Sequence, residues 1–235
     1  MEVVENHFSQ GLKDGIPIGL GYLSVSFTFG MMAVSNGVPV EVAVMISLTN
    51  LTSAGQFSAL SLMLESASLL ELALSQFIIN LRYALMSLSL TQKVDKHMKT
   101  YERALIAYGV TDEIFALASS TYERVGKWYM SGLILFPVFC WTMGTLLGGA
   151  FTTLMPESLR SALGIAIYGM FLAIIIPASS KSRAIGEVVL LAAILSTLMY
   201  VTPLFQELSS GFQLIIATLL AALYGAWRYP IEEKE

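Results

Sequence analysis

The chain has 235 residues, a formal net charge of −4 and a single cysteine; 55% of its residues are hydrophobic and only 13% charged, with a mean hydropathy of +0.69. A soluble domain carries about 25% charged residues, so the composition excludes an ordinary soluble fold and points to a polytopic α-helical membrane protein. A lone Cys140 excludes an intrachain disulfide or a cysteine-based metal site, and no basic cluster interleaved with aromatics suggests nucleic acid.

The chain is expected to form one membrane domain over 1–235. Residues 1–14 are an acidic-polar tail (Glu2, Glu5, His7, Gln10, Lys13, Asp14), 16–121 a half with a polar centre, 128–227 a plainer apolar half, and 228–235 a polar C-terminal tail. The tail lacks the basic region and cleavage site of a signal peptide, so the first span is expected to be retained. That span runs from about Ile16 to Ser35. It is entered through Gly11, Gly15 and Gly19, four apart on one helix face, with Pro17 between them. The spacing suits close helix packing, or a helix start loosened beside a solute path.

Segment two, about Val40 to Leu64, has a centre (Thr49 to Ser58) in which seven of ten residues are polar or Gly. Such a centre does not face lipid. Either this face looks into the protein, or the helix breaks at Ser53 to Gln56, which would free backbone amides and let the following half-helix attract an anion with its N-terminus. Segment three, about Leu72 to Leu90, carries Arg82 near its middle, beside a polar stripe of Glu71, Gln76, Asn80 and Tyr83. A guanidinium stays charged, and placing it at membrane depth costs roughly 3 kcal/mol or more. Arg82 therefore requires a partner, a water-filled cavity or a substrate. The basic loop that follows (Lys93, Lys96, His97, Lys99, Arg103, with Asp95 and Glu102) reads as cytoplasmic.

Segment four, about Ala104 to Thr121, is short and holds Gly109, Thr111, Asp112 and Glu113 in its middle; the next loop, with Glu123, Arg124 and Lys127, also reads as cytoplasmic. It is expected to enter and return, or to lie against the bundle without crossing. Parity is then repaired either by a re-entrant segment two or by an external N-terminus. Four apolar segments follow: Trp128 to Leu154, Leu159 to Ala178, Ala184 to Thr202 and Leu208 to Trp227, with Lys181, Arg183 and Arg228 marking cytoplasmic ends and Pro156 and Pro203 external loops. Gly144 with Gly148, and Ala221 with Gly225, read as packing faces, a second subunit being one candidate partner. Between the Pro17 and Pro137 segments there is only a faint internal similarity. The expected fold is thus all-α, a bundle of about 6–8 transmembrane segments with segments two and four discontinuous or re-entrant.

No catalytic constellation emerges. His7 and His97 lie outside the spans and lack partners at metal-ligand spacing, and Asp112 and Glu113, adjacent on a helix, point about 100° apart. No GxxxxGK[ST] loop occurs, so ATP is not expected to be hydrolysed on this chain, and no cofactor is implied. A solute path fits better. A zwitterion's carboxylate suits Arg82 or freed amides near Gly55 to Phe57, and its ammonium suits Asp112, Glu113 or helix C-terminal carbonyls. Asn80 and Gln56 are candidate orienting contacts, and Glu113 or Asp112 a proton carrier. The bland alternatives stay open: Arg82 and Asp112 pair to hold two helices together, and Asn80 makes an interhelical hydrogen bond.

Gly15-Ile16-Pro17, Phe29-Gly30, Ala54-Gly55-Gln56-Phe57, Asn80-Leu81-Arg82-Tyr83 with Leu85-Met86-Ser87, and Thr111-Asp112-Glu113 with Phe115-Ala116 form an ordered set over about the first 120 residues. The set resembles the AzlC-type branched-chain amino acid permeases. That resemblance implies the large subunit of a two-component exporter in the prokaryotic plasma or inner membrane. It further implies valine, isoleucine, leucine and in some members methionine as substrates, and a small membrane partner of the AzlD type. Tyr83 stands where many relatives are expected to have His, which would leave proton handling to Asp112 or Glu113. Export without ATP would draw on the proton motive force or another ion. A channel or importer for another small zwitterion or anion, and a non-transporting assembly subunit, are the competing readings.

Overall fold

In the computed structural model of the protein, the described residues are 7–152, 154–156, 158, 172, 175–177, 179–180, 182–205 and 208–230. The expected segment Leu159 to Ala178 and Lys181 lie largely or wholly outside them, as do Glu2, Glu5 and the tail beyond 230. Nine α-helices are seen among the described residues: α1 (Phe8–Ser35), α2 (Val40–Thr49), α3 (Ser53–Leu64), α4 (Leu69–Leu90), α5 (Thr100–Tyr108), α6 (Asp112–Thr121), α7 (Lys127–Thr152), α8 (Arg183–Val201) and α9 (Ser210–Arg228). Five of them, α1, α4, α7, α8 and α9, are long and apolar enough to cross a membrane. The protein is an all-α, multi-pass membrane protein.

The chain divides into two compact units, 1–57 with 79–164 and 58–78 with 165–235. The first is built on α1 and α7. The glycines that open α1 are packing residues: a Cβ on Gly11 would strike the Tyr129 carbonyl, and one on Gly15 the Leu133 carbonyl and Pro137. Further along, Gly30 abuts the Thr145 carbonyl and Gly144 and Gly148 abut residues 23–27 of α1. Partners on α7 advance as positions on α1 advance, so the two helices run parallel. Small residues let their backbones touch along most of their length, a contact driven by packing rather than by water release. The Gly144–Gly148 pair therefore meets α1 and not a second subunit.

Both segments with polar centres are broken. In segment two the break is Asn50-Leu51-Thr52, three residues earlier than expected; Asn50 is extended, and Ser53 to Gln56 form the first turn of α3. Thr52 explains the shift, because its hydroxyl accepts the Gly55 N–H at 3.3 Å and so caps α3. The chain reverses here. Gln56 donates to Ser47 at 2.7 Å, whereas nine residues of continuous helix would separate them by ~13.5 Å. In segment four the break is Gly109-Val110-Thr111, and Thr111 caps α6 by accepting the Ile114 N–H.

The α5–α6 pair enters and leaves on one face. At its start Glu102 bonds Lys127, the first residue of α7, at 2.7 Å; at its end the Ser119 carbonyl accepts from Lys93, just past α4. Residues 93–95 pair directly with Val125, joining the loop after α4 to the loop before α7. The lysine hydrogen bond holds the Glu102 carboxyl below the usual carboxylate range. An apolar cluster, including Val94, Ile106, Ile114, Tyr129, Leu133 and Ile134, seats the pair on α7. The parallel α1 and α7 both start from this face, so segment two reverses rather than crosses.

A repeat is present, but not between the Pro17 and Pro137 segments. A long helix followed by a broken pair occurs twice, α1 with α2–α3 and α4 with α5–α6, and each break is three residues long. Tyr22 is the fifteenth residue of α1 and Tyr83 the fifteenth of α4; Leu20 and Leu81 precede them by two, and Leu51-Thr52 matches Val110-Thr111.

In the second unit, α8 and α9 pack through Gly225 against Val188, with Tyr224 donating to Glu187 at 3.2 Å. The Ala221–Gly225 face is thus used within the chain. Glu71, buried in the membrane-length helix α4, accepts the Gly211 N–H at 2.8 Å at the start of α9.

Candidate functional site

The two breaks approach one another at the centre of the first unit, where the Tyr108 hydroxyl at the end of α5 bonds the Leu48 carbonyl near the end of α2. Four half-helix ends converge there. Helices α3 and α6 begin at the breaks and present partial positive charge; α2 and α5 end there and present carbonyls. At ~1.5 Å per residue the nine residues of α5 reach about half the depth of a ~30 Å bilayer core.

Arg82 Nη1 lies 2.7 Å from Asp112 Oδ2, and the two side chains are each 45% exposed. Asp112 opens α6, where the helix end favours a carboxylate, and Arg82 reaches it from α4. A charge pair at this depth is stable only because each group satisfies the other, and its half-exposure leaves room for a third. Arg82 Nη2 also donates to the Tyr83 hydroxyl at 3.0 Å, and Tyr83 lines one cleft together with Thr52, the cap of α3. On the other side Tyr22 donates to Glu113 at 2.5 Å, with its oxygen 2.6 Å from the hydroxyl of Thr111, the cap of α6. Each repeat's tyrosine thus stands beside the capping threonine of the other repeat. A small cavity of about 30 Å³ lies among Tyr22, Ser53, Tyr83, Asp112, Glu113 and Trp141.

Among the residues expected from sequence, Asp112 and Glu113 line this cavity and Arg82 joins them through its pair with Asp112, with Gly55 two residues beyond Ser53 in the first turn of α3. Asn80 lies one turn of α4 from Tyr83 and lines an adjoining cleft of about 230 Å³. Gln56 is placed apart from the charges. It is fully buried, donates to Ser47, accepts from Trp141 Nε1 at 3.2 Å, and joins through Ser47 to Thr145, binding α2, α3 and α7 together. Tyr22, Thr52, Tyr108, Thr111 and Trp141 were not expected at the site. Only the threonines carried a local signal, as hydroxyl residues one position before a half-helix.

A family model described as AzlC protein matches residues 17–155, a stretch that contains both breaks, the ion pair and α7. An uncharacterized membrane protein of Archaeoglobus fulgidus is 32% identical over 172 residues, 72% of this chain and 75% of that one. The inner membrane protein YgaZ of Escherichia coli is 25% identical over 228 residues, 94% and 92% of the two chains, and an uncharacterized membrane protein of Helicobacter pylori is 32% identical over 151 residues, 61% and 65%. No solved structure matches.

Proposed function

The chain belongs to the AzlC family of membrane proteins, and on that footing we propose that it is the large subunit of a secondary transporter that exports amino acids with apolar side chains. The half-exposed Arg82–Asp112 pair at the meeting of two broken helices carries this reading. A zwitterion brings one group for each charge. Its carboxylate takes the Arg82 guanidinium and the N-terminal turn of α3 around Gly55; its ammonium takes Asp112 and the carbonyl ends of α2 and α5. Without substrate the two protein charges neutralise one another, so the empty site is not left with a bare charge at membrane depth.

Valine, isoleucine, leucine and methionine are the substrates we assign, following the family resemblance. Coupling is to the proton motive force, with Asp112 or Glu113 as the carrier. Asn80 orients the substrate, and Gln56 acts at one remove by holding the break in segment two. A small membrane subunit of the AzlD type is the partner; a pair of charges half-exposed on this chain is a natural place for another subunit to cover.

The test is uptake of labelled valine into inverted membrane vesicles, energised and then collapsed with a protonophore, from cells that co-express the small subunit. We expect accumulation that needs the gradient and falls at least ~100-fold in Arg82→Ala or Asp112→Asn, as loss of a charged hydrogen bond to substrate of about 3 kcal/mol implies. The exchanged pair, Arg82→Asp with Asp112→Arg, distinguishes a purely structural bridge. It would restore both abundance and transport if the bridge only holds helices together, and abundance alone if the charges meet substrate. Wild-type uptake in the single variants contradicts the proposal.

A further inference from the structure

Beside the charges lies the cleft of about 230 Å³, and we infer that it is the pocket for an uncharged substrate side chain, with Leu51, Ala107 and Val110 as its apolar walls. The inference rests on the transport reading above and adds to it the determinant of substrate size. Its first support is position. The cleft is lined from both breaks at once, by residues 49–52 of one repeat and by Ala107, Tyr108 and Val110 of the other. Leu51 and Val110 occupy equivalent places, each one residue before a capping threonine. A site between two repeats is where a transporter can be opened to either side by moving one repeat against the other.

The second support is chemistry. No charged residue lines the cleft, so a substrate with an acidic or basic side chain would find no partner in it. Leu51 and Val110 are buried apolar walls, and Ala107 adds a small one. Thr49, Asn50, Thr52, Asn80, Tyr83 and Tyr108 make up the polar remainder. Asn80 and Tyr83 both line the cleft, and Tyr83 is also the residue bonded to Arg82. An amino acid with its charged end at Arg82 and Asp112 can therefore turn its side chain past Tyr83 into the cleft.

The experiment is competition. Unlabelled glycine, alanine, valine, leucine and phenylalanine are tested against labelled valine uptake, in wild type, Ala107→Leu and Val110→Ala. A methylene in an apolar pocket is worth about 10-fold or more in discrimination. Ala107→Leu is expected to weaken competition by leucine about 10-fold while alanine is unchanged. Val110→Ala is expected to admit phenylalanine about 10-fold better. Thermal stabilisation of the purified full-length chain by the same amino acids gives a second reading that needs no turnover. If wild type carries valine and both variants, present at wild-type level, keep its ranking, the pocket assignment is overturned and the transport reading stands. If wild type neither carries nor is stabilised by any amino acid of the panel, both fall.

Discussion

Arg82 shows how far one side chain constrains a membrane fold. Its charge cannot be removed at membrane depth, so the fold had to bring it an acid, and Asp112 was legible as that acid from the sequence because acids inside spans are few. Gln56 shows the limit of the same reasoning. A polar residue in a span seeks any partner, and nothing in its spacing tells substrate from Ser47 and Trp141. Its buried geometry makes a definite prediction. Gln56→Ala strands the Trp141 N–H and removes the link from Ser47 to α3, and should lower the stability of the detergent-solubilised protein by about 1–3 kcal/mol, read as a drop in Tm. Tyr22 and Tyr83 were hidden for another reason: each acts on the other repeat, across 89 residues in the Tyr22–Thr111 case, and no local pattern carries such a contact.

For the helices, composition marked the two polar centres but not the register of their breaks. Seven polar or glycine residues in ten left segment two either an inward face or an interruption. Where the interruption falls is decided by which hydroxyl caps the second half, and Thr52 wins over Ser53 because its Oγ meets the Gly55 N–H. The glycines of α1 and α7 were legible as a small-residue face, while their partners were not, since the same motif serves contacts within and between subunits. The packing separates two substitutions that look alike in sequence. Gly148→Leu drives its side chain into the Phe27 backbone and should cost ~2 kcal/mol or more, lowering Tm or abolishing accumulation; Gly21→Ala meets nothing within 4 Å and should leave Tm unchanged or slightly raised.

In the first unit the arrangement is a parallel pair of long helices supporting two reversing half-helix pairs, which meet end to end. Its logic is economical with charge. Two helix N-termini and two C-termini at one point present both polarities of backbone, and a single ion pair supplies the side-chain charge. The repeat that creates this point escaped the sequence because its members share only scattered positions, Leu20 with Leu81, Tyr22 with Tyr83, Thr52 with Thr111. They differ where the charges lie, Gly21 and Ser53 in one repeat facing Arg82 and Asp112 in the other. Repetition supplies the scaffold, and the departure from it supplies the binding chemistry.

The site at Arg82 requires α5–α6 to return to the face it came from, because only then does Asp112 reach the middle of the membrane at the tip of a half-length pair. Cysteine labelling in intact cells measures this, in a Cys140→Ser background carrying one new cysteine at a time. Lys96→Cys and Glu123→Cys, before and after the pair, should both react with a membrane-impermeant maleimide only once the membrane is opened. Asn36→Cys, between α1 and α2, should react from outside. If the cysteines at 96 and 123 report opposite faces, α5–α6 crosses the membrane, and the meeting of two half-helix pairs around Arg82 is wrong.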